Sequence, residues 1–315
     1  MMSEVTNEDP GSTATAESEH ASDDSDAGMV IVGVDGSAGS QRALEWAANK
    51  TDVLGPIKGI GAYHVEPLGD GMGTPGLYTD LTGLLAEDAK NQLQRSLEAT
   101  HPDILARSEV VRGYPGPALV RAAEGHALLV VGSRGRSALA ETLLGSVTSY
   151  CVKHATVPVA VIPESTPVDG PLNHLIVGAD GSENAVAAMR WAIRHLAPGG
   201  RITAIHSWLI APYVVEMVPP TPSMSDEARV AIEQSIARAV KEESATNPAA
   251  ADTSIEIKTL MGDPRNVLPA EAKNGDLLVI GARGHRGAAY LLVGSVATSL
   301  IHHPTVPTVV VPGAD

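Results

Sequence analysis

The sequence predicts two tandem α/β domains, each a five-stranded, mainly parallel sheet with helices on both faces. Three observations carry this. Short apolar, β-branched runs alternate with segments of helical periodicity, the pattern of parallel strands joined by crossover helices. The order of those elements occurs twice along the chain. A glycine pattern also returns at a fixed step: LLVVGSRGRSALAETLLGSV at 128–147 and LLVIGARGHRGAAYLLVGSV at 277–296 place Gly132 and Gly281 149 residues apart, and Gly145 and Gly294 likewise.

The first half begins with MVIVGVDGS at 29–37, an apolar run ending in Asp-Gly-Ser, as expected of a central parallel strand. Ser37 or Ser40 then caps a helix whose Ala43, Leu44, Trp46 and Ala47 recur at helical spacing. IKGIGAYHV at 57–65 is the second strand. A loop with Pro and Gly leads to a helix over about 81–99. SEVVRGYPG at 108–116 gives a third strand and turn, and Pro117 to Val120 open the next helix, where a first-turn proline is tolerated. The glycine-patterned stretch supplies strand four, and VPVAVIP at 157–163 strand five.

The second half follows the same order. LIVGADGS at 175–182 sets Asp180 145 residues after Asp35, and Trp191 the same distance after Trp46. RITAIHSWL is strand two, with AIHS set against AYHV of the first half. A helix follows near 225–243, TLMGDP matches VRGYPG, and VPTVVVP at 306–312 closes the chain. The expected divisions are a disordered acidic tail at 1–27, a first domain at 28–163, a linker at 164–171 rich in proline and polar residues, and a second domain at 172–315.

At 315 residues the chain is long enough for two ordinary domains, and 43% hydrophobic content suits sizeable cores. The net charge is −15, of which residues 1–27 supply −8 through eight acidic residues and no basic one. That balance argues against a nucleic-acid partner, which calls for a basic face. No stretch reaches the length of a membrane span, and the start lacks the basic and apolar regions of a secretory signal, so the expected location is cytoplasmic. The single cysteine, Cys151, excludes an internal disulfide or a cysteine-cluster metal site, and reads as a buried structural thiol.

Phosphate binding is the chemistry the glycine pattern suggests. A buried strand that ends in glycines lets the backbone turn tightly and its N–H groups approach an anion. Gly145-Ser146 then starts a helix whose unpaired N–H groups and positive dipole end face the same space. In an open sheet of this order ligands bind at the carboxyl ends of the strands where chain order reverses, and Asp35 and Gly132 both fall at such ends. A strand-to-helix turn with ordinary turn glycines is the alternative for one copy, and an Asp before Gly-Ser also serves as a turn former or cap. His64 and His206, near sheet ends, read as satisfied structural histidines, and His302-His303 as a complement to a helix dipole. The stretch 71–76 fits a dinucleotide fingerprint only formally, lying in a long loop with an internal proline. The chain has no GK[ST], HExxH, GxSxG or kinase signature set, and neither SGGxDS nor a His-Gly-His-type motif.

On these residues both halves resemble universal stress protein domains of the ATP-binding type. The family's signature, Gly-x2-Gly-x9-Gly-Ser/Thr, is met by Gly132, Gly135, Gly145-Ser146 and by Gly281, Gly284, Gly294-Ser295, and its strand-one Asp by Asp35 and Asp180. The resemblance covers about 28–315 and implies an adenine nucleotide alpha hydrolase-like, Rossmann-like fold in each half. It implies that Asp35 accepts the ribose hydroxyls with Gly33 leaving room for the nucleoside, and that Val65 offers backbone groups to adenine. Val131 and Gly132 would line the ribose-phosphate path and Arg134 would stand near the phosphates. Gly135, Gly145, Ser146 and Val147 would present N–H groups to the polyphosphate. The matching set in the second half is Gly178, Asp180, Ser207, Ile280, Gly281, Arg283, Gly284, Gly294, Ser295 and Val296.

The implied function is a nucleotide-dependent regulator in stress or growth-arrest response, with one ATP per domain, accompanied by Mg2+ held without protein side chains. The resemblance implies no catalytic residue. The alternatives are a slow ATP hydrolase or phosphotransferase using the same clefts, and a scaffold whose last strands pair without any nucleotide. Those strands are expected to pair between the domains or between subunits of a homo-oligomer.

Overall fold

The computed structural model describes residues 28–65, 75–98, 102–105, 107–135, 144–208, 222–284 and 292–313. The expected acidic tail at 1–27 lies outside the described residues, as does the stretch 71–76 apart from Pro75 and Gly76. The first half holds β1 (Val30–Gly33), β2 (Ile57–Tyr63), β3 (Glu109–Arg112), β4 (Leu128–Gly132) and β5 (Val159–Ile162). The second holds β6 (His174–Gly178), β7 (Arg201–Trp208), β8 (Ser254–Met261), β9 (Leu277–Gly281) and β10 (Thr308–Val311). The helices of the first half are α1 (Ala38–Ala48), α2 (Thr51–Leu54), α3 (Pro75–Glu98), α4 (Pro102–Leu105), α5 (Pro115–Ala123) and α6 (Ser146–His154). Those of the second are α7 (Glu183–His195), α8 (Pro222–Ser244), α9 (Pro264–Ala272) and α10 (Ser295–His302).

Within each half every strand pair is parallel, in the order β3-β2-β1-β4-β5 and its counterpart β8-β7-β6-β9-β10. Chain order reverses between β1 and β4, and between β6 and β9. The two halves join edge to edge. β5 and β10 run antiparallel, with Val161 opposite Thr308, Ala160 opposite Val309 and Val159 opposite Val310, so one ten-stranded sheet crosses the whole chain. The pairing of last strands expected from the sequence is made within the chain.

Apolar runs rather than alternation mark these strands because both faces are covered. Val30 and Val32 enter one core cluster and Ile31 the other. At the seam, Ala160, Ile162, Val309 and Val311 belong to the first cluster, and Val159, Val161 and Val310 to the second, so both halves share each core. Trp46 and Trp191, at matching places on α1 and α7, are buried in the first.

Helix starts follow local chemistry. Ser37 is the cap of α1, its Oγ accepting the Ser40 N–H at 3.1 Å, while Ser40 lies inside the helix; Ser182 caps α7 through Ala185 N–H at 3.2 Å. α5 begins at Pro115, two residues before the expected start, and α3 begins at Pro75 rather than near 81. Segment 164–171 is fastened to the first half: Arg42 Nε donates to Glu164 O at 3.2 Å and Lys50 Nζ to Val168 O at 2.9 Å. Burial lowers the Lys50 pKa, opposed by the charges of Asp276, Asp169 and Asp52.

Cys151 is fully buried on α6 in the second core cluster. Burial pushes its thiol from the ordinary 9.0 up to about 12, so the folded protein keeps it protonated. The contribution to stability is complete below pH 9.0, where both states hold the proton, and is lost as pH rises toward about 12. Iodoacetamide at pH 8 is therefore expected to leave Cys151 unlabelled in buffer and to label it fully in denaturant. Equal labelling rates in the two conditions would mean that the thiol is accessible in the native fold.

Candidate functional site

The carboxyl ends of β1 and β4, at the reversal point of the first half, open into a cavity of about 520 Å3. Gly33, Asp35, Val131, Gly132, Arg134, Gly135, Gly145, Ser146 and Val147 all line it. Of the positions singled out in this half, Val65 is not among the lining residues; it is buried, while Tyr63 and His64 just before it line the cavity.

Asp35 is held in place before any ligand arrives. Its Oδ1 accepts the Ser37 N–H at 3.0 Å and the Ser37 hydroxyl at 2.6 Å, and its own N–H donates to Ser40 Oγ at 3.3 Å. Gly36 supplies the left-handed turn after it, with φ 78°. A Cβ on Gly135 would stand 2.8 Å from Asp35 Oδ2, so only glycine lets the loop after β4 cross the carboxylate. The loop returns at Gly145, whose N–H donates to Ser133 O at 2.9 Å, and α6 starts there without a side-chain cap. Thr148 Oγ1 donates to Gly132 O at 2.7 Å, tying the first turn of α6 to the end of β4. The first-turn N–H groups of α6 and its positive dipole end thus point at the space beside Asp35. Val147 packs its side chain against the core and has only its main chain to offer.

Gly33 also makes room for a neighbouring helix. A Cβ there would meet Leu119 Cδ1 of α5 at 2.9 Å; at Gly178, Ile280 and Leu268 take that place.

Sequence reasoning missed one wall of the cavity. Asp88 and Gln92 on α3 line it, with Gln92 Nε2 donating to Asp88 Oδ2 at 2.5 Å and the Gln92 side chain lying against Gly36. They stand more than fifty residues from Asp35, and only the packing of α3 brings them over it. His64 lines the cavity as well, and the exposed Tyr114 ring stacks on it at 3.5 Å between centroids. The expected satisfied histidine is not found at His64, whose Nε2 is buried with no hydrogen-bond partner among the described residues. His206 does meet the expectation, bonding Ala179 O at 2.9 Å.

In the second half Asp180 Oδ1 accepts the Ser182 N–H at 3.0 Å, Gly284 crosses the carboxylate as Gly135 does, and Gly294 N–H donates to Ala282 O at 2.7 Å. The described ends of the loop between β9 and α10 thus repeat those of the loop between β4 and α6, with Ile280 and Gly281 ending β9 and Ser295 and Val296 starting α10. Arg283 Nη2 lies against Gly313, beyond the end of β10.

The match of AIHS to AYHV needs correction. The ladders pair Gly33 with Ile60 and Gly178 with Ile205, so Ser207 stands where Ala62 does, not where Val65 does. Its hydroxyl donates to Gly262 O at 2.7 Å. The position 145 residues beyond Val65 is Ile210, outside the described residues.

Among the described residues no group of three or more His, Cys, Asp or Glu side chains could hold a metal ion, and no helix is long and apolar enough to cross a membrane.

Comparison with known proteins agrees with this architecture. The sequence profile of the universal stress protein family matches residues 28–163 and 171–312. A universal stress protein of Mycobacterium tuberculosis is 29% identical over 291 residues, covering 89% of this chain and 96% of the relative. One from Mycolicibacterium smegmatis is 26% identical over 294 residues, covering 90% and 96%. Among solved structures, a universal stress protein from Archaeoglobus fulgidus superposes with a TM-score of 0.61 at 20% identity, over 91% of this chain and 98% of the other.

Proposed function

Because the chain belongs to the universal stress protein family, with both halves matched, we propose that it is an ATP-binding regulator whose conformation or partner choice follows nucleotide occupancy, with a candidate cleft in each half. The observation that carries this reading is the convergence of Asp35, Gly135 and the uncapped start of α6 on one cavity. Its volume of about 520 Å3 falls within the range of small-molecule and cofactor sites. The apolar side chains of Ile60, Leu119, Val131 and Leu144 suit a base and sugar, while the N–H groups of 145–147 and the Ser146 hydroxyl suit a polyphosphate. Mg2+ would travel with the phosphates, held by their oxygens and by water. No residue is assigned a catalytic role, and the protein works in this reading by binding.

Native mass spectrometry of the purified chain tests the proposal. Adducts of ATP mass are expected, carried through purification or restored by micromolar MgATP, with a rise in thermal midpoint as ligand is added. At a hundredfold excess over the dissociation constant, occupancy of one site adds about 3 kcal/mol to stability. A spectrum free of adducts at millimolar MgATP, with an unmoved midpoint, would remove the nucleotide reading and leave a scaffold of paired strands.

A further inference from the structure

We infer that the two halves are unequal sites: the first half takes the nucleotide tightly, and the second, which among the described residues lacks groups that complete the first, takes it at least about tenfold more weakly. The inference rests on the nucleotide reading above and grades its two clefts. Ladder register and the repeated loop ends identify corresponding positions, and the differences gather around the two aspartates.

Beside Asp35, Ser40 Oγ accepts the aspartate N–H and lines the cavity; the corresponding first-turn residue of α7 is Ala185, which has no hydroxyl. The turn glycine after Asp35 is covered by Gln92, with Oε1 3.5 Å from the place of a Cβ on Gly36. The same place on Gly181 is covered by Ile232 Cδ1 at 3.9 Å, a side chain of the buried core. The turn glycine beside the first aspartate therefore meets a polar side chain, and the one beside the second an apolar side chain. Asp35 is half-buried and Asp180 exposed, so a hydrogen bond to Asp180 competes directly with water.

The phosphate end differs in the same sense. Thr148 ties the start of α6 to β4, and Ala297 at the matching place on α10 cannot. Arg134 lines the cavity of the first half. Asn184 replaces Gly39 in the second, and its Oδ1 and the Arg283 guanidinium both lie against Gly313, past the end of β10. Tyr114, stacked on His64, has Asp263 as its counterpart, ion-paired with Arg265, and that pair offers no aromatic face to a base; the counterpart of His64, residue 209, lies outside the described residues.

The test is a titration of the full chain with MgATP, followed by native mass spectrometry for stoichiometry and hydrogen–deuterium exchange for location. One adduct is expected to fill at about tenfold lower concentration than a second, with exchange slowed first across 33–40 and 144–150 rather than across 178–185 and 292–302. Gln92→Ile, which gives the first half the apolar side chain of the second, should weaken the tight step about tenfold while the ligand-free thermal midpoint holds. Two adducts filling together, with equal protection in both halves, would overturn the inference and leave the nucleotide reading standing. Failure of any adduct to form would instead remove that reading, and the inference with it. If Gln92→Ile unfolds, the exchange pattern of the unaltered chain decides alone.

Discussion

Asp35→Ala is expected to bind MgATP ten- to a hundredfold more weakly than the unaltered chain. The carboxylate is fixed on one oxygen by the Ser37 N–H and hydroxyl and covered on the other by Gly135, so it presents a pre-oriented acceptor. A hydrogen bond to a charged, partly desolvated acceptor contributes about 1.5–3 kcal/mol, which is the stated range in affinity. Because Asp35 also holds the turn into α1, part of any loss could come from fraying of that helix. Asp35→Asn separates the two effects: it keeps size and one acceptor oxygen, and should fall between wild type and alanine. Calorimetric titration of all three proteins gives the comparison. Equal affinities throughout would show that Asp35 serves the turn alone.

Gly132→Ala should cost the first half about 3 kcal/mol of stability. A Cβ at Gly132 would lie 2.5 Å from the carbonyl carbon and oxygen of Gly39 and 3.0 Å from its Cα. Those are backbone atoms in the first turn of α1, so relief requires the helix to move off the sheet, and with it Ser40 and the Asp35 turn. Urea denaturation would read the effect as a lower midpoint at unchanged slope. The site offers a second readout, since the displaced helix takes Asp35 with it and nucleotide affinity should fall in parallel. A midpoint equal to wild type would mean that α1 retreats at no cost, and that the close approach of Gly39 and Gly132 is incidental.

Much of this was legible in the sequence because it is written in backbone chemistry. Glycines at 132, 135 and 145, and again at 281, 284 and 294, mark places where main chain meets main chain or crosses a carboxylate, and such constraints survive in the residue letters. The register of β2 against β7 was not legible. Matching AYHV to AIHS sets Ile60 against Ile202, yet Ile60 belongs to one core cluster and Ile202 to the other. An odd slip turns a strand over, but in a strand buried on both faces the two sides carry the same residue types. Only the partner strand fixes the alignment. Asp88 and Gln92 escaped for another reason: they sit on an amphipathic helix whose polar residues read as solvated, and only packing turns one edge of it toward the pocket.

The antiparallel seam between β5 and β10 sets the direction in which each cleft looks. Parallel order within each half sends β4 and β9 opposite ways across the seam, so the two glycine loops hang from opposite rims of one continuous sheet. A rigid partner seated over one mouth has its back to the other. Whatever one mouth tells the other must pass sideways through the three ladders of hydrogen bonds between β4 and β9, and not through a shared docking face.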